Sequence, residues 1–153
     1  MKLLAYEVDK RSFLGVLNED ETWVYPVSAA GMEYRSMKDL IREAGPSEME
    51  MLDYISKKMP GDVTGAASVE EIKVVSPIAE PDQDIICLGI NYMDHAKESA
   101  RFKKEEFSKP EKAIYFSKRV NRTNDPDGII PAHKNLTNQL DYEAELAVII
   151  KKD

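Results

Sequence analysis

The sequence has 153 residues, of which 42% are hydrophobic and 32% are charged, as in a folded globular protein and unlike a disordered one. The formal net charge is −7 and no basic stripe is present, so neither nucleic acid nor an anionic membrane surface is expected as a partner. No stretch approaches the roughly 20 apolar residues of a membrane helix, the first residues lack a signal-peptide core, and Cys87 is the only cysteine. These features predict a cytoplasmic protein without an intrachain disulfide.

Short apolar runs separated by polar turns open the chain, a pattern that predicts a small antiparallel meander. The turns are the hairpin-length segment Asp9–Arg11 and the polar segment Asn18–Glu21. The predicted strands, including one that follows the helices described next, are Leu3–Val8, Ser12–Leu17, Thr22–Val27 and Ile72–Val75.

Two helices are predicted between the meander and the separate short strand Ile72–Val75. Ser36 is a candidate N-cap for Met37–Ala44, and Gly45 with Pro46 is expected to end that helix. Ser47 and Glu50 form a capping-box pattern that opens a second helix, Met49–Met59. The methionines and leucines of this helix recur at helical spacing, which we interpret as core packing.

Two prolines within Ser76–Asp82 predict a domain boundary, giving a small N-terminal domain over 1–76 and a second domain over 77–153. The second domain is predicted to contain a buried strand, a polar helical stretch, another strand, a long loop with a strong turn at Asn124–Gly128, and a final strand. In that order, these elements cover Asp84–Leu88, Met93–Phe107, Ala113–Phe116, Ser117–Asn138 and Leu140–Ile150.

Carboxylates alternate along the final predicted strand. On a strand, Glu143 and Glu145 point to the same side with Asp141 beside them, roughly 7 Å between neighbours. Two carboxylates this close repel unless a proton or a cation separates them, and a hard divalent ion accepts such oxygen ligands. The alternative is a solvent-facing strand whose acids are simply hydrated.

A histidine and a glutamate are spaced to share one helical face. His95 and Glu98 are separated by three residues, and a carboxylate beside an imidazole raises its basicity, as a general base requires. The alternative is an incidental pair on an exposed helix. His133 is interpreted as a loop residue, and Cys87, between two apolar neighbours, as a buried residue and not a nucleophile.

Three motifs occur in an order that resembles the fumarylacetoacetate hydrolase family. Gly89-Ile90-Asn91-Tyr92 with His95 and Glu98 is similar to the family's Gly-x-Asn-Tyr-x-x-His-x-x-Glu signature. Lys109-Pro110 followed by Ile114–Lys118 looks like its Pro…Phe-x-Lys strand, and Ile129–Pro131 followed by Leu140–Leu146 is similar to its metal-binding strand. The match covers roughly 84 to 153, and the N-terminal meander with two helices resembles the small leading domain of many members.

The resemblance implies an α+β, mostly β fold, in which a mixed β-roll catalytic domain begins after the small N-terminal domain. It also implies that Glu143 and Glu145 bind Mg²⁺ or Mn²⁺, and that His95 and Glu98 form the acid/base pair. Lys118 would line the site. The substrate-binding candidates are Gly89, Asn91, Tyr92 and, from its charge alone, Arg101.

The most similar subgroup contains 2-hydroxyhepta-2,4-diene-1,7-dioate isomerases, acylpyruvate hydrolases and related decarboxylases. The resemblance therefore implies a homodimeric enzyme of catechol and aromatic degradation. It is expected to hydrolyse small 2-oxo acids of the acylpyruvate type through a metal-stabilised enolate. Enol–keto isomerisation, tautomerisation and oxaloacetate decarboxylation share that enolate and are the alternatives. In the family a third metal ligand, an aspartate, comes from a later strand, and Asp153 lies too soon to be that residue. The chain is thus expected to be the truncated first part of such an enzyme, inactive alone, or else a non-catalytic binding module.

Overall fold

The computed structural model describes residues 1–94, 96–97, 100 and 112–151. The chain forms two compact units, one made of residues 1–79 together with the segment from Asn124 onward, and the other made of Glu80–Thr123. The α+β class is confirmed. The domain division at residue 76 stays a prediction.

The first unit contains a five-stranded antiparallel sheet, in which the predicted meander forms β1 (Leu3–Val8), β2 (Arg11–Leu17) and β3 (Trp23–Pro26). An unpredicted strand, β4 (Ala67–Ser68), and the strand predicted at Ile72–Val75, β5 (Lys73–Val75), complete the order β4-β3-β2-β1-β5. The first hairpin closes through Asp9 and Lys10, whose φ angles of 48° and 64° match the right-handed twist of the flanking strands. The Asn18 side-chain oxygen closes the next turn by accepting from the Thr22 and Trp23 amides at 2.9 and 3.0 Å.

Gly15 marks a crowded position in the centre of β2. It lies opposite Leu4 on one side and Pro26 on the other, and the Tyr6 ring and the buried Val24 occupy the space beside its α-carbon. Any side chain at this position would meet both neighbours. Glycine is therefore the residue that lets these three strands approach closely.

Two helices cover one face of the sheet. The first, α1 (Met37–Glu43), begins as predicted, with the Ser36 hydroxyl accepting from the Asp39 amide at 3.2 Å. The second, α2 (Pro46–Ser56), begins earlier than predicted and also ends earlier. The predicted Ser47–Glu50 capping box is wrong, because the Glu48 carboxylate instead accepts from the Gly45 amide at 3.1 Å.

The core lies between this face of the sheet and the two helices. Its most deeply buried members are Val16 and Tyr25 from the sheet and Leu40 and Leu52 from the helices. The opposite face of the sheet carries a smaller apolar cluster built on Leu4, Tyr6 and Val24.

The second unit contains a two-stranded antiparallel sheet made of β6 (Ile85–Gly89) and β7 (Ile114–Lys118). Both predicted strands therefore form, each one or two residues later than expected. The predicted helical stretch Met93–Phe107 is helical at residues 93–94, 96–97 and 100. Its other residues lie outside the described part of the chain.

The prediction of a final strand over Leu140–Ile150 is wrong for this structure. Residues 140–151 take part in no strand, and the apolar side chains of Leu146, Val148 and Ile150 are 84%, 75% and 85% exposed. A strand forms only where a neighbour completes its hydrogen-bond ladder, and no described segment pairs with this one. The predicted loop before it is confirmed from residue 119 onward, including a turn in which the Gly128 amide donates to the Asp125 carbonyl at 3.0 Å. Within the described ranges, no helix has the length and apolar character needed to cross a membrane.

Candidate active site

The candidate site residues divide between the two units. Gly89, Asn91, Tyr92 and Lys118 belong to the second unit, whereas Glu143 and Glu145 belong to the first. The acid/base candidates His95 and Glu98, and the carboxylate-binding candidate Arg101, lie outside the described residues. Their roles remain predictions.

The Gly-x-Asn-Tyr motif forms a bend between a strand and a helical segment. Strand β6 ends at Gly89, and Ile90 takes a φ of 52°, in the left-handed region. A β-branched residue rarely adopts this conformation, which costs about 1–3 kcal/mol. Tyr92 follows, and its carbonyl accepts from the Ala96 amide at 3.0 Å, which opens the helical segment. The strained residue thus forms a turn between β6 and the helical segment, where Asn91 and Tyr92 are exposed.

The register of the β6–β7 sheet places Lys118 at the opposite end from this bend. Lys118 pairs with Ile85, whereas Gly89 pairs with Ile114. Four residues of strand span about 13 Å at roughly 3.3 Å per residue. The Lys118 ammonium lies 5.8 Å from the centre of the Phe116 ring, a cation–π distance. The structure therefore brings Lys118 together with Phe116 and not with Gly89 or Asn91.

The single cysteine lies on the same sheet. Cys87 is only 8% exposed and is paired across the sheet with Phe116. Its thiol donates to the Ile85 carbonyl oxygen at 3.9 Å. The burial agrees with the interpretation of Cys87 as a buried apolar residue.

The carboxylate segment is exposed. Asp141, Glu143 and Glu145 all face solvent, and the Asp141 carboxylate accepts from the Tyr142 amide at 2.9 Å. Among the described residues, no group of three histidine, cysteine, aspartate or glutamate side chains is placed to hold a metal ion. Carboxylate oxygens are nevertheless the donors that Mg²⁺ and Mn²⁺ prefer, so Glu143 and Glu145 fit part of such a ligand set by their chemistry. His133 lies in the loop, as predicted.

The sequence motifs predict no role for Asp125 other than its place in the turn at Asn124–Gly128. Its carboxylate contacts the Lys73 ammonium at 3.2 Å and accepts from the Ser76 amide at 3.0 Å. Asp125, and to a smaller extent Glu7, raises the pKa of Lys73 above its ordinary value. The Asn-Asp-Pro-Asp-Gly sequence indicates a turn, but no sequence signal connects it to residues about 50 positions earlier.

The segment that carries the three sequence motifs is similar to a known protein family. Residues 84–153 match the sequence profile described as fumarylacetoacetate (FAA) hydrolase C-terminal. These residues belong to the fumarylacetoacetate hydrolase family. The resemblance carried by the three motifs is thereby confirmed.

Several proteins are similar to this chain over nearly all of its residues. Oxaloacetate tautomerase YisK of Bacillus subtilis is 33% identical over 162 residues, which cover 99% of this chain and 52% of that protein. Uncharacterized proteins of Staphylococcus epidermidis and Staphylococcus aureus are 29% and 28% identical, with the same coverage. The chain spans about half the length of these curated relatives, and the N-terminal unit is included in the aligned region together with the family segment.

Proposed function

We propose that this chain belongs to a divalent-metal-dependent enzyme that interconverts the enol and keto forms of a small 2-oxo acid, with oxaloacetate as the first substrate to test. The observation that carries the proposal is the 33% identity, over 99% of the chain, to a protein named as an oxaloacetate tautomerase. The residues that such chemistry needs are present in this sequence, namely His95, Glu98, Glu143 and Glu145.

The reaction moves a proton between a carbon and an oxygen of the substrate. We assign this transfer to His95, since an imidazole titrates near neutral pH and a neighbouring Glu98 would increase its basicity. General acid/base help of this kind typically contributes about 10²–10⁴-fold in rate. The bend at Gly89–Tyr92 supports the assignment, because it directs the chain from β6 into the segment that carries both residues.

Glu143 and Glu145 are proposed to hold Mg²⁺ or Mn²⁺. When bound, the cation supplies Lewis acidity towards the oxygens of a 2-oxo acid. The exposure of both glutamates is compatible with an oxygen-ligand site to which further ligands contribute. We further propose a cytoplasmic homodimer that acts on free small molecules, with neither nucleic acid nor membrane as a partner.

Hydrolysis of acylpyruvates is the second candidate reaction. It is favoured by the same His95–Glu98 pair, which suits the activation of a water molecule as well as proton transfer to carbon. Offering the enzyme both enol-oxaloacetate and an acylpyruvate separates the two reactions, since only hydrolysis releases two carboxylic acid products. Because the relatives are about twice as long, we expect the 153-residue chain alone to have little activity towards either compound.

The metal assignment can be tested without measuring turnover. Mn²⁺ is added to the chain, and the paramagnetic broadening of backbone amide signals is followed by NMR. We expect broadening centred on residues 141–146, weakened at least several-fold in Glu143→Gln and Glu145→Gln. Glu33→Gln, which changes an exposed glutamate in the N-terminal unit, is the matched control and should leave the broadening unchanged. Equal broadening in Glu143→Gln and in the unchanged chain would remove these glutamates from the proposed site.

A further inference from the structure

The turn at residues 124–129 is attached to an edge of the N-terminal sheet through one carboxylate. Asp125 Oδ1 accepts from the Ser76 amide at 3.0 Å, and Asp125 Oδ2 contacts the Lys73 ammonium at 3.2 Å. These partners lie 49 and 52 residues earlier in the sequence. Lys73 belongs to β5, which pairs only with β1 and forms an edge of that sheet, and Ser76 follows directly after β5.

Hydrogen bonds within the turn fix the backbone that carries the Asp125 carboxylate. The Gly128 amide donates to the Asp125 carbonyl at 3.0 Å, and the Asn124 side-chain amide donates to the Ile129 carbonyl at 3.2 Å. A β-carbon on Gly128 would lie 2.4 Å from Asn124 Oδ1, so a larger residue there would displace the Asn124 side chain from its hydrogen bond to the Ile129 carbonyl. The backbone on both sides of Asp125 is therefore held by contacts within the turn.

Burial at Ser76 makes the attachment favourable. Ser76 is 9% exposed, and a buried amide that loses an acceptor incurs a desolvation penalty. The Lys73 ammonium adds opposite charge and also lies 3.7 Å from Glu7 Oε2 on β1. The Asp125 carboxylate thus accepts the hydrogen bond of the buried Ser76 amide. It also pairs with the Lys73 ammonium, which Glu7 approaches as well.

We propose that Asp125 is a latch that fixes the 124–129 turn onto β5, so that the loop leading to Glu143 starts from a fixed point on the N-terminal sheet. The N-terminal sheet then supports the start of the segment that leads to the carboxylates. The latch is defined by contacts within the first unit alone. The latch proposal therefore depends neither on the proposed metal site nor on the proposed reaction.

Amide hydrogen exchange at Ser76 tests the latch in the full chain. Loss of a hydrogen bond to a charged group predicts an exchange rate about tenfold higher in Asp125→Ala. Lys73→Met, which keeps the carboxylate but removes its cation, should give a smaller increase. Asp127→Asn, a change in the same turn at a residue with a φ of 59° that asparagine tolerates, should leave the rate unchanged.

The Val16 amide in β2 serves as the internal reference for global opening. Faster exchange at Ser76 with an unchanged Val16 rate supports a local latch. Equal acceleration of both amides, or a Ser76 rate in Asp125→Ala within twofold of the original, would overturn the proposal. If Asp125→Ala does not fold, Asp125→Asn removes the charge but retains an acceptor oxygen, so it should give a smaller increase at Ser76, as Lys73→Met does; no increase in either variant would overturn the proposal.

Discussion

Replacing Gly15 by alanine tests how closely the three central strands of the N-terminal sheet are packed. A β-carbon there would lie 2.4 Å from Val24 Cγ2, 2.9 Å from Tyr6 Cε1 and 3.0 Å from the Tyr25 carbonyl oxygen. Val24 is fully buried and the Tyr25 carbonyl belongs to the backbone, so neither can move aside without disturbing the core. Overpacking of this kind costs about 1–3 kcal/mol, whereas the lower chain entropy of alanine returns about 0.4–1 kcal/mol. We therefore expect a net loss of about 1 kcal/mol in the free energy of unfolding.

Urea denaturation followed by the fluorescence of Trp23 measures this loss, because Trp23 begins β3, the strand that pairs with β2 next to the changed residue. Gly61→Ala is the matched control, since its added methyl group meets no atom within 4 Å and Gly61 has no left-handed φ. The control should be unchanged or more stable by up to about 1 kcal/mol. If the two variants have free energies of unfolding within about 0.5 kcal/mol of each other, the proposed crowding at Gly15 is incorrect.

Three further changes test separate parts of the structure. Ser36→Ala should lower the free energy of unfolding by about 1 kcal/mol in the same urea experiment, because it removes the hydroxyl that caps α1; no loss would exclude the cap. The buried Tyr25 donates its phenol to the Lys58 carbonyl at 2.8 Å, and burial, followed by Asp20 and Asp62, raises its pKa. The folded state thus favours the neutral phenol of Tyr25. The resulting contribution to the free energy of unfolding is fully present below pH about 10 and is lost as pH rises through the pKa of Tyr25 in the folded state. Stability above that pH should therefore fall less steeply in Tyr25→Phe, and parallel pH profiles would contradict this cause. In the active enzyme, His95→Ala should lower kcat by about 10²-fold or more with nearly unchanged metal affinity, whereas an unchanged kcat would refute its acid/base role.

Local sequence signals predict the N-terminal unit well. Alternating apolar residues separated by short polar turns are sufficient to define a meander, and Ser36 marks the start of α1 because its hydroxyl satisfies a free amide. The start of α2 is harder to predict because Gly45-Pro46 is equally typical of the end of one helix and of the beginning of the next. In the structure, proline occupies the first turn of α2, where its missing amide costs nothing.

Contacts between distant parts of the sequence could not be predicted in the same way. The strand expected at Leu140–Ile150 has the right composition, but composition cannot supply the neighbour that a strand needs. The placement of Lys118 depends on the pairing of β6 with β7, which fixes the end of the sheet at which each motif residue lies. The motifs themselves are recognisable because their residues are close in sequence, and this is why the amino-acid sequence alone is sufficient to indicate the family.

The single buried thiol provides a second, independent measure of folding. Cys87 lies in the Glu80–Thr123 unit, whereas Trp23, the only tryptophan, lies in the other unit. A thiol reagent can modify Cys87 only when thermal fluctuations expose it, so its labelling rate measures the opening of β6 without any mutation. If labelling and fluorescence give the same unfolding free energy, the two units unfold together. A smaller free energy from Cys87 labelling would mean that the sheet bearing the Gly-x-Asn-Tyr motif opens while the N-terminal sheet remains folded.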